Sequence, residues 1–483
     1  MEHLPPSTRR AQFTPEVECF GPQHAKISPQ IDATGLVSPY QPVLDQRIAD
    51  LLTRSGTLAS WIDCFGSPLH LIFPEIAFEN ASRWRNSLDA TYSNIDVRFG
   101  MKACKSHALA TAFRLANLGM DVSSSEELIA AMSALVTRER VSFTGPDKPD
   151  QDLAMCVAHG VAVNIDSLCE LDRLAEIQRF MGVQGKAVLR LLPSVQTDSR
   201  FGLAADDLLT AAIRLKEHGI QLEGLSFHLS GYDSDQRVKT AGEALIIAQE
   251  LASRGSAIQS LCIGGGFTLS YLAREPRPDA ADDMRTWQNR DRPSNYPYYS
   301  TVSGEHHATQ IIGDILANLT NREIINEMQL KLVLEPGRAL TDQCGGTLFR
   351  VTGTKQTHDG LNLIILDGMS FSLAENWFGS DFMPLPLHIP LSPREEQKRS
   401  ASVLVGRSCL ECDVVRWRVV DFASLPQTGD LIFLHNTAGY QMDMNESNFH
   451  QIPLPRKLGV FFNKDQPTCQ LDAEVNIRSF MKS

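Results

Sequence analysis

The residues with the clearest chemical potential stand where apolar runs stop. Leu330 to Leu334 is a leucine-rich run that ends at Glu335-Pro336-Gly337-Arg338, which puts a carboxylate and a guanidinium at the C-terminal end of an expected buried strand. Glu335 can hold a proton on a pyridinium nitrogen, and Arg338 can pair with a phosphate through charge-assisted hydrogen bonds. Together they are what a pyridoxal phosphate site needs. Taken alone, the tetrapeptide reads more readily as a helix-capping Glu with a surface Arg after a Pro-Gly turn. Lys102, in VRFGMKACKSH, ends another apolar run, where desolvation is expected to lower its pKa and free the amine for a Schiff base. Its alternative is a surface lysine like Lys105. The turn Gly264-Gly265-Gly266 in CIGGGF lets backbone N–H groups approach a phosphate, or is simply flexible. His228, in GLSFHLSGYD, can lie against a planar cofactor or be a satisfied core residue. Cys409, in VGRSCLECD, can donate a proton or be an inert thiol.

These groups need elements that bring them together. From residue 68 the chain alternates strand-like and helix-like stretches. A strand at Pro68 to Phe73 is followed by Ile95 to Met101, Met120 to Ser123, Val141 to Thr144, Val161 to Ile165, Ala187 to Leu192, Leu222 to Leu229, Ser260 to Ile263 and Leu330 to Leu334. Helical segments such as SHALATAFRLANLG and DLLTAAIRLKEHG lie between them, several ending at Gly. The alternation predicts a (β/α)8 barrel, with Lys102, Asp121, Arg190, His228, the glycine turn, Glu335 and Arg338 at the strand C-termini around one mouth. After Arg338, short β-rich segments separated by Gly, Pro and Asp predict a C-terminal β domain. The expected division is a flexible arm over 1–40, a segment over 41–72 joining the β domain, a barrel over 73–338 and the β domain over 339–483. Residues 272–305, polar and Pro-rich, are expected to be a lid or interface loop.

Composition narrows the classes. Hydrophobic residues make up 43% and charged residues 21%, as in a soluble globular chain, and the formal charge is 45 − 57 = −12 with no basic block. A nucleic-acid or anionic-membrane partner is therefore disfavoured. The ten cysteines form no paired CxxC zinc pattern, so no metal site is expected, and most are read as reduced, buried, small hydrophobes. No apolar signal core opens the chain and no run reaches a membrane span, so a cytoplasmic protein is expected.

In joint order these segments resemble the fold-type III pyridoxal phosphate decarboxylases, the ornithine, diaminopimelate and arginine decarboxylase family, whose barrel is of the alanine racemase type. The resemblance covers about residues 60 to 470. It is carried by FGMKACK, GMDVSSSEEL, FTGPDKPDQDL, VNIDSLCEL, LRLLP, SRFGL, SFHLSG, IGGGF, EPGR, LDGMS, GRSCLECD and TAGYQMD. It implies pyridoxal 5′-phosphate as cofactor, carried as a Schiff base on Lys102, with His228 stacked on its ring and Glu335 facing its ring nitrogen. Gly264, Gly265, Gly266, Gly337, Arg338 and Tyr440 would hold the phosphate side, and Asp121 and Arg190 would line the cofactor. It also implies a head-to-tail homodimer in which Cys409 reaches the partner's site and protonates the product carbon.

The chain departs from the family pattern at three places. Where the family has a glycine and then a phosphate-binding serine after its histidine, this chain has His228-Leu229-Ser230-Gly231, which puts Ser230 as a phosphate ligand in doubt. The family's GAY appears as Ala438-Gly439-Tyr440, with the tyrosine kept. After the reactive cysteine the family places an acid for the substrate's distal ammonium, whereas here Leu410 stands first and Glu411 second; a leucine accepts no hydrogen bond. The arginine that clamps a distal carboxylate in diaminopimelate decarboxylases falls on Ala374 or Glu375, so free diaminopimelate is disfavoured. With Trp377, Phe378 and the loop tyrosines Tyr296, Tyr298 and Tyr299, a larger or modified amino acid is expected, such as a siderophore or secondary-metabolite intermediate or a carrier-bound aminoacyl group. Leu410, Glu411, Glu375 and Phe378 are the substrate candidates. A same-fold racemase or epimerase, and an inactive homologue with a regulatory binding role, are the competing readings.

Overall fold

The computed structural model describes residues 42–273, 275, 287, 299–373, 385–393, 400–443, 446–463 and 466–482. The arm at 1–40, most of the 272–305 insertion with Tyr296 and Tyr298, and Glu375, Trp377 and Phe378 lie outside the described residues.

Strand β1 (Leu69–Ile72) is buried along its whole length and belongs to the β domain, not the barrel. The barrel closes from eight parallel strands in chain order: β2 (Ile95–Gly100), β3 (Gly119–Val122), β4 (Val141–Phe143), β5 (Ala162–Ile165), β6 (Lys186–Arg190), β7 (Gln221–Ser226), β8 (Ser260–Cys262) and β9 (Lys331–Leu334), with β9 paired back to β2. Strands covered on both faces read as near-continuous apolar runs, which is why Leu332 to Leu334 and Ala162 to Ile165 lack an alternating pattern. Every strand therefore points its C-terminal end, and the polar residues there, to the same face.

Local sequence sets the helices between them. Ser106, Ser124 and Ser167 each cap a helix N-terminus by accepting a backbone N–H three residues on. Helices Asp150–His159, Leu168–Met181 and Ala205–His218 all stop at a glycine in the left-handed region, Gly160, Gly182 and Gly219, where a side chain would be strained.

The second unit is a sheet built from both sides of the barrel sequence. Its strands are β1, β10 (Gly345–Gln356), β11 (Asn362–Leu366), β12 (Pro386–Ile389), β13 (Ser400–Val405), β14 (Val414–Phe422), β15 (Leu431–His435), β16 (Arg456–Phe461) and β17 (Thr468–Leu471). The main path runs β14-β13-β11-β10-β1-β16-β17, while β15 joins β12 to β10. β1 lies antiparallel to β10 and parallel to β16, so residues that precede the barrel complete the sheet that follows it. The sheet also grips the barrel next to Lys102. The Asp472 carboxylate accepts from Ser106 Oγ at 2.5 Å and from the N–H groups of His107 and Ala108 at 2.9 and 3.1 Å, while Asp443 Oδ2 accepts from Lys105 N at 2.7 Å. Asp443, paired with Lys457, is itself buried.

Two boundaries differ from the sequence expectation for a physical reason. Lys102 does not end a strand; β2 stops at Gly100 and Lys102 sits in a one-turn 3-10 helix, Met101–Ala103. His228 lies two residues beyond β7. In both places the chain leaves the ladder so that a functional side chain can turn into the mouth instead of alternating across the barrel wall. The expectation of mostly buried cysteines also fails: Cys104, Cys156, Cys262 and Cys344 are buried, but Cys64, Cys169, Cys409 and Cys412 are exposed, all with free thiols.

Candidate active site

Lys102, Asp121, Glu335, His228, Arg190 and Tyr440 meet at the C-terminal mouth of the barrel. Asp121, on β3 opposite Gly100 of β2, is buried and accepts a 2.8 Å hydrogen bond from Thr144 Oγ1. Its burial, reinforced by the neighbouring Glu335 charge, pushes its pKa up to about 8 despite Lys102 nearby. Lys102 is exposed to solvent within this mouth. Contrary to the sequence expectation, its pKa is raised: desolvation would lower it, but the charges of Tyr440, Asp121 and Glu335 outweigh that cost.

His228 is held differently. Burial, with Lys102, Arg237 and Arg190 all in range, drives its pKa well below the ordinary imidazole value, so the ring is neutral. Its Nδ1 accepts from Gly265 N at 3.3 Å, which leaves the proton on Nε2. That bond ties the histidine to the glycine turn.

The turn is a cradle in which no side chain fits. A Cβ on Gly264 would stand 2.7 Å from the Phe227 carbonyl oxygen and 2.8 Å from His228 Nδ1; on Gly265 it would strike the Glu335 carbonyl oxygen; on Gly266 it would lie 2.8 Å from the Gly231 oxygen. Glu335 in turn donates its N–H to the Gly264 carbonyl at 2.9 Å, so the strand end that carries the acid and the turn are one unit.

On the other side, Arg338 Nη1 donates to the Gly439 carbonyl at 3.1 Å and to Tyr271 Oη at 3.3 Å, and its guanidinium lies 4.9 Å from the Tyr440 ring centre. Tyr440 has left-handed backbone, φ 63°, and its N–H donates to the Ala103 carbonyl at 2.8 Å, which locks the β domain to the lysine turn. The need for Gly337 follows, since a Cβ there would stand 2.6 Å from the Tyr440 hydroxyl. Arg190, at the end of β6, lies 3.5 Å from Asp166 and 4.4 Å from the Phe201 ring centre.

The cysteine loop is elsewhere. Ser408 to Cys412 leaves the sheet between β13 and β14 and is tied down by buried Asp413, whose carboxylate accepts from Ser370 N at 2.7 Å and Ser408 N at 2.9 Å. Cys409 is exposed, with Sγ 3.1 Å from His450 Nε2, and Glu411 is exposed beside the half-buried Leu410. Ser230 is exposed too, its backbone clasped by Gln196 in two 2.9 Å bonds. Among the described residues no cluster of His, Cys, Asp and Glu could hold a metal ion, and no helix is long and apolar enough to cross a membrane.

Sequence reasoning missed Thr144, Asp166, Tyr271, Arg237 and His450. Thr144 and Asp166 stand just past β4 and β5, so the strand-end rule applied evenly would have found them. Arg237 is mid-helix, Tyr271 lies beyond the glycine turn and His450 is in a loop, and no local pattern marks any of them.

Three features match one cofactor: a turn that excludes any Cβ, a guanidinium beside a tyrosine, and a lysine among acids. Residues 77–342 match the family model described as pyridoxal-dependent decarboxylase, pyridoxal binding domain. The chain belongs to this decarboxylase family. The decarboxylase is 35% identical over 436 residues to the uncharacterized protein y4yA of Sinorhizobium fredii, covering 87% of this chain and 93% of that one. It is 26% identical over 319 residues to the diaminopimelate decarboxylase of Zymomonas mobilis, covering 63% of this chain and 68% of that one. Its fold matches the crystal structure of the Helicobacter pylori diaminopimelate decarboxylase complexed with L-lysine, with a TM-score of 0.65 at 18% identity, over 85% of this chain and 95% of that one. The decarboxylase is thus a pyridoxal 5′-phosphate-dependent carboxy-lyase of the ornithine, diaminopimelate and arginine type.

Proposed function

We propose that this decarboxylase acts on a larger or modified amino acid rather than on free diaminopimelate, and that its working site is shared between two copies of the chain. The observation that carries this is the split described above. Lys102, Asp121, Glu335, His228, the glycine turn, Arg338 and Tyr440 converge on one mouth, while the polar partner of exposed Cys409 is His450 on the same surface.

When bound, pyridoxal phosphate supplies an electron sink for the bond to the departing carboxylate. Lys102 Nζ would be the attachment point and would first have to lose the proton that its surroundings favour; Asp121, with its pKa near 8, is mostly protonated at neutral pH and would line the cofactor as a neutral hydrogen-bonding group. Gly264, Gly265, Gly266, Gly337, Arg338 and Tyr440 would hold the phosphate end, and Glu335 would keep a proton on the ring nitrogen. His228, held neutral, would pack against the cofactor without adding charge to it, and Arg190 would line the cofactor site. Cys409 Sγ, from the partner chain of a homodimer, would supply the proton for the product carbon.

The substrate reading rests on Leu410, which cannot accept an ammonium hydrogen bond at the position following the thiol. Glu411 and, from outside the described residues, Glu375 and Phe378 are the remaining substrate contacts. A secondary-metabolite or siderophore intermediate, or an aminoacyl group on a carrier protein, has the required bulk. The test is the visible absorption of the protein with pyridoxal phosphate, followed through a panel of free, N-acylated and citryl-conjugated amino acids with released CO2 measured. A shift with CO2 from a bulky conjugate is expected; CO2 from free diaminopimelate at an ordinary KM would overturn the substrate assignment.

A further inference from the structure

Arg237 is a buried cation that the chemistry above does not use. It sits on the helix Ser234–Ser253, is 1% exposed, and directs its side chain under the glycine turn. Nη1 donates to the Ile263 carbonyl at 2.7 Å and Nη2 to the Gly266 carbonyl at 3.2 Å, so its two arms grip the first and last peptides of the turn. Nη2 is only 2.9 Å from where a Cβ on Gly266 would be, and the guanidinium lies 5.4 Å from the Phe267 ring centre. Nε has no hydrogen-bond partner, and among the described residues no carboxylate pairs with the guanidinium. Burial lowers its pKa to about 10, which leaves it charged at neutral pH.

A buried charge without a counterion is costly unless something negative completes its surroundings. The neighbouring groups do not: His307, on the adjacent helix, is held neutral by burial and by Arg237 itself, and its ring is occupied by Thr268 N, Thr268 Oγ1 and Ser234 Oγ. His228 is also neutral. The backbone geometry supplies the direction in which the missing anion lies. In a trans peptide the C=O and the following N–H point opposite ways, so holding the Gly266 carbonyl turns the Phe267 N–H away from Arg237, on the far side of the turn. The N–H groups of Gly266 and Phe267 have no acceptor among the described residues.

We propose that Arg237 is the positioning residue of the phosphate cradle: it fixes the carbonyls of the turn inward, aims its free N–H groups outward, and places an uncompensated positive charge behind a bound phosphate monoester. This rests on the proposed use of the turn for the cofactor phosphate.

The test compares the affinity of the full-length protein for pyridoxal 5′-phosphate and for pyridoxal, which lacks the phosphate, by titrating the visible band with each. Arg237→Met is expected to weaken pyridoxal phosphate by about 10-fold or more, the worth of a charge-assisted hydrogen bond, and to change pyridoxal affinity by less than about 3-fold. Arg237→Lys, which keeps the charge but not the two-armed grip, is expected to fall between. Equal weakening of both ligands would mean that Arg237 only supports the fold, and unchanged affinity for both would remove it from the cradle; either result overturns the inference. Where thermal unfolding shows that Arg237→Met does not fold, the same ligand ratio read on Arg237→Lys decides: a fallen ratio supports the role and an unchanged one refutes it. A wild-type protein that binds neither ligand overturns the cofactor-site reading itself, a result distinguishable from all of these.

Discussion

The barrel mouth and the cysteine loop are built on opposite principles. In the mouth several functional residues are held by hydrogen bonds: Asp121 by Thr144, His228 by the Gly265 N–H, Arg338 by the Gly439 carbonyl and Tyr271, and the Tyr440 backbone by the lysine turn. Burial there shifts charges strongly, raising Asp121 and depressing His228. The loop from Ser408 to Cys412 has a rigid base at Asp413, but its tip, with Cys409 and Glu411, is exposed. The difference separates two jobs. In the proposed reading, the mouth would hold the cofactor within one chain, while proton delivery and contact with the substrate's far end would fall to the loop of a second copy.

The comparison can be broken most severely at Lys102. Lys102→Ala is expected to abolish the visible band of bound pyridoxal phosphate and to lower CO2 release by roughly 10⁴-fold or more, since attachment and turnover both depend on the amine. Cys409→Ala should do the reverse, keeping the band while product formation falls by about 10²- to 10⁴-fold, the usual worth of a positioned proton donor. A fully active Cys409→Ala variant would take the loop out of the chemistry.

A smaller effect tests the electrostatics of the mouth. Asp121 has a pKa of about 8 in the folded chain against 3.8 for an ordinary aspartate, so its neutral form is the one the fold favours. That contribution to stability is complete below the lower value and is lost as pH rises through about 8. Asn cannot ionise. In protein without added cofactor, Asp121→Asn should therefore match wild type in Tm only below about pH 4, exceed it increasingly up to about pH 8 and then level off; a constant difference across that range would show that Asp121 is not a raised carboxyl. The smallest change is expected at the loop. His450→Gln should leave cofactor affinity unaltered and slow iodoacetamide alkylation of Cys409, followed on its peptide by mass spectrometry, by about 10-fold or less, because an imidazole at 3.1 Å assists loss of the thiol proton.

The barrel was legible because its strands are covered on both faces and so appear as runs such as Leu330 to Leu334, with polar residues marking their ends. Glu335, the glycine turn and Lys102 were read by that rule, and the family resemblance supplied Tyr440 and turned Cys409 from one candidate thiol into a residue of the partner's site. The Lys102 charge state was misread because a sequence run reports desolvation but not which acids the fold brings near; Asp121 and Glu335 come from strands far apart in the chain that flank β2 on either side in the closed barrel. Arg237 was invisible for a related reason. Within SDQRVKTAGEAL it is one more polar helix residue, and only the packing of that helix under the turn from Ile263 to Gly266 gives its charge a purpose. The place of β1 between β10 and β16 likewise depends on a pairing across the whole barrel sequence.

The shared site can be tested directly by mixing subunits. Lys102→Ala and Cys409→Ala chains, each purified as an inactive protein, would be unfolded and refolded together or produced together, and CO2 release measured with the amino acid that gives the strongest signal in the panel. If the mouth of one chain works with the loop of the other, half of a random mixture is hybrid dimer with one intact site, and activity returns to about a quarter of wild type. If the mixture stays as inactive as its parents while wild type treated the same way recovers, Cys409 serves its own chain or none, and the division between mouth and loop is wrong.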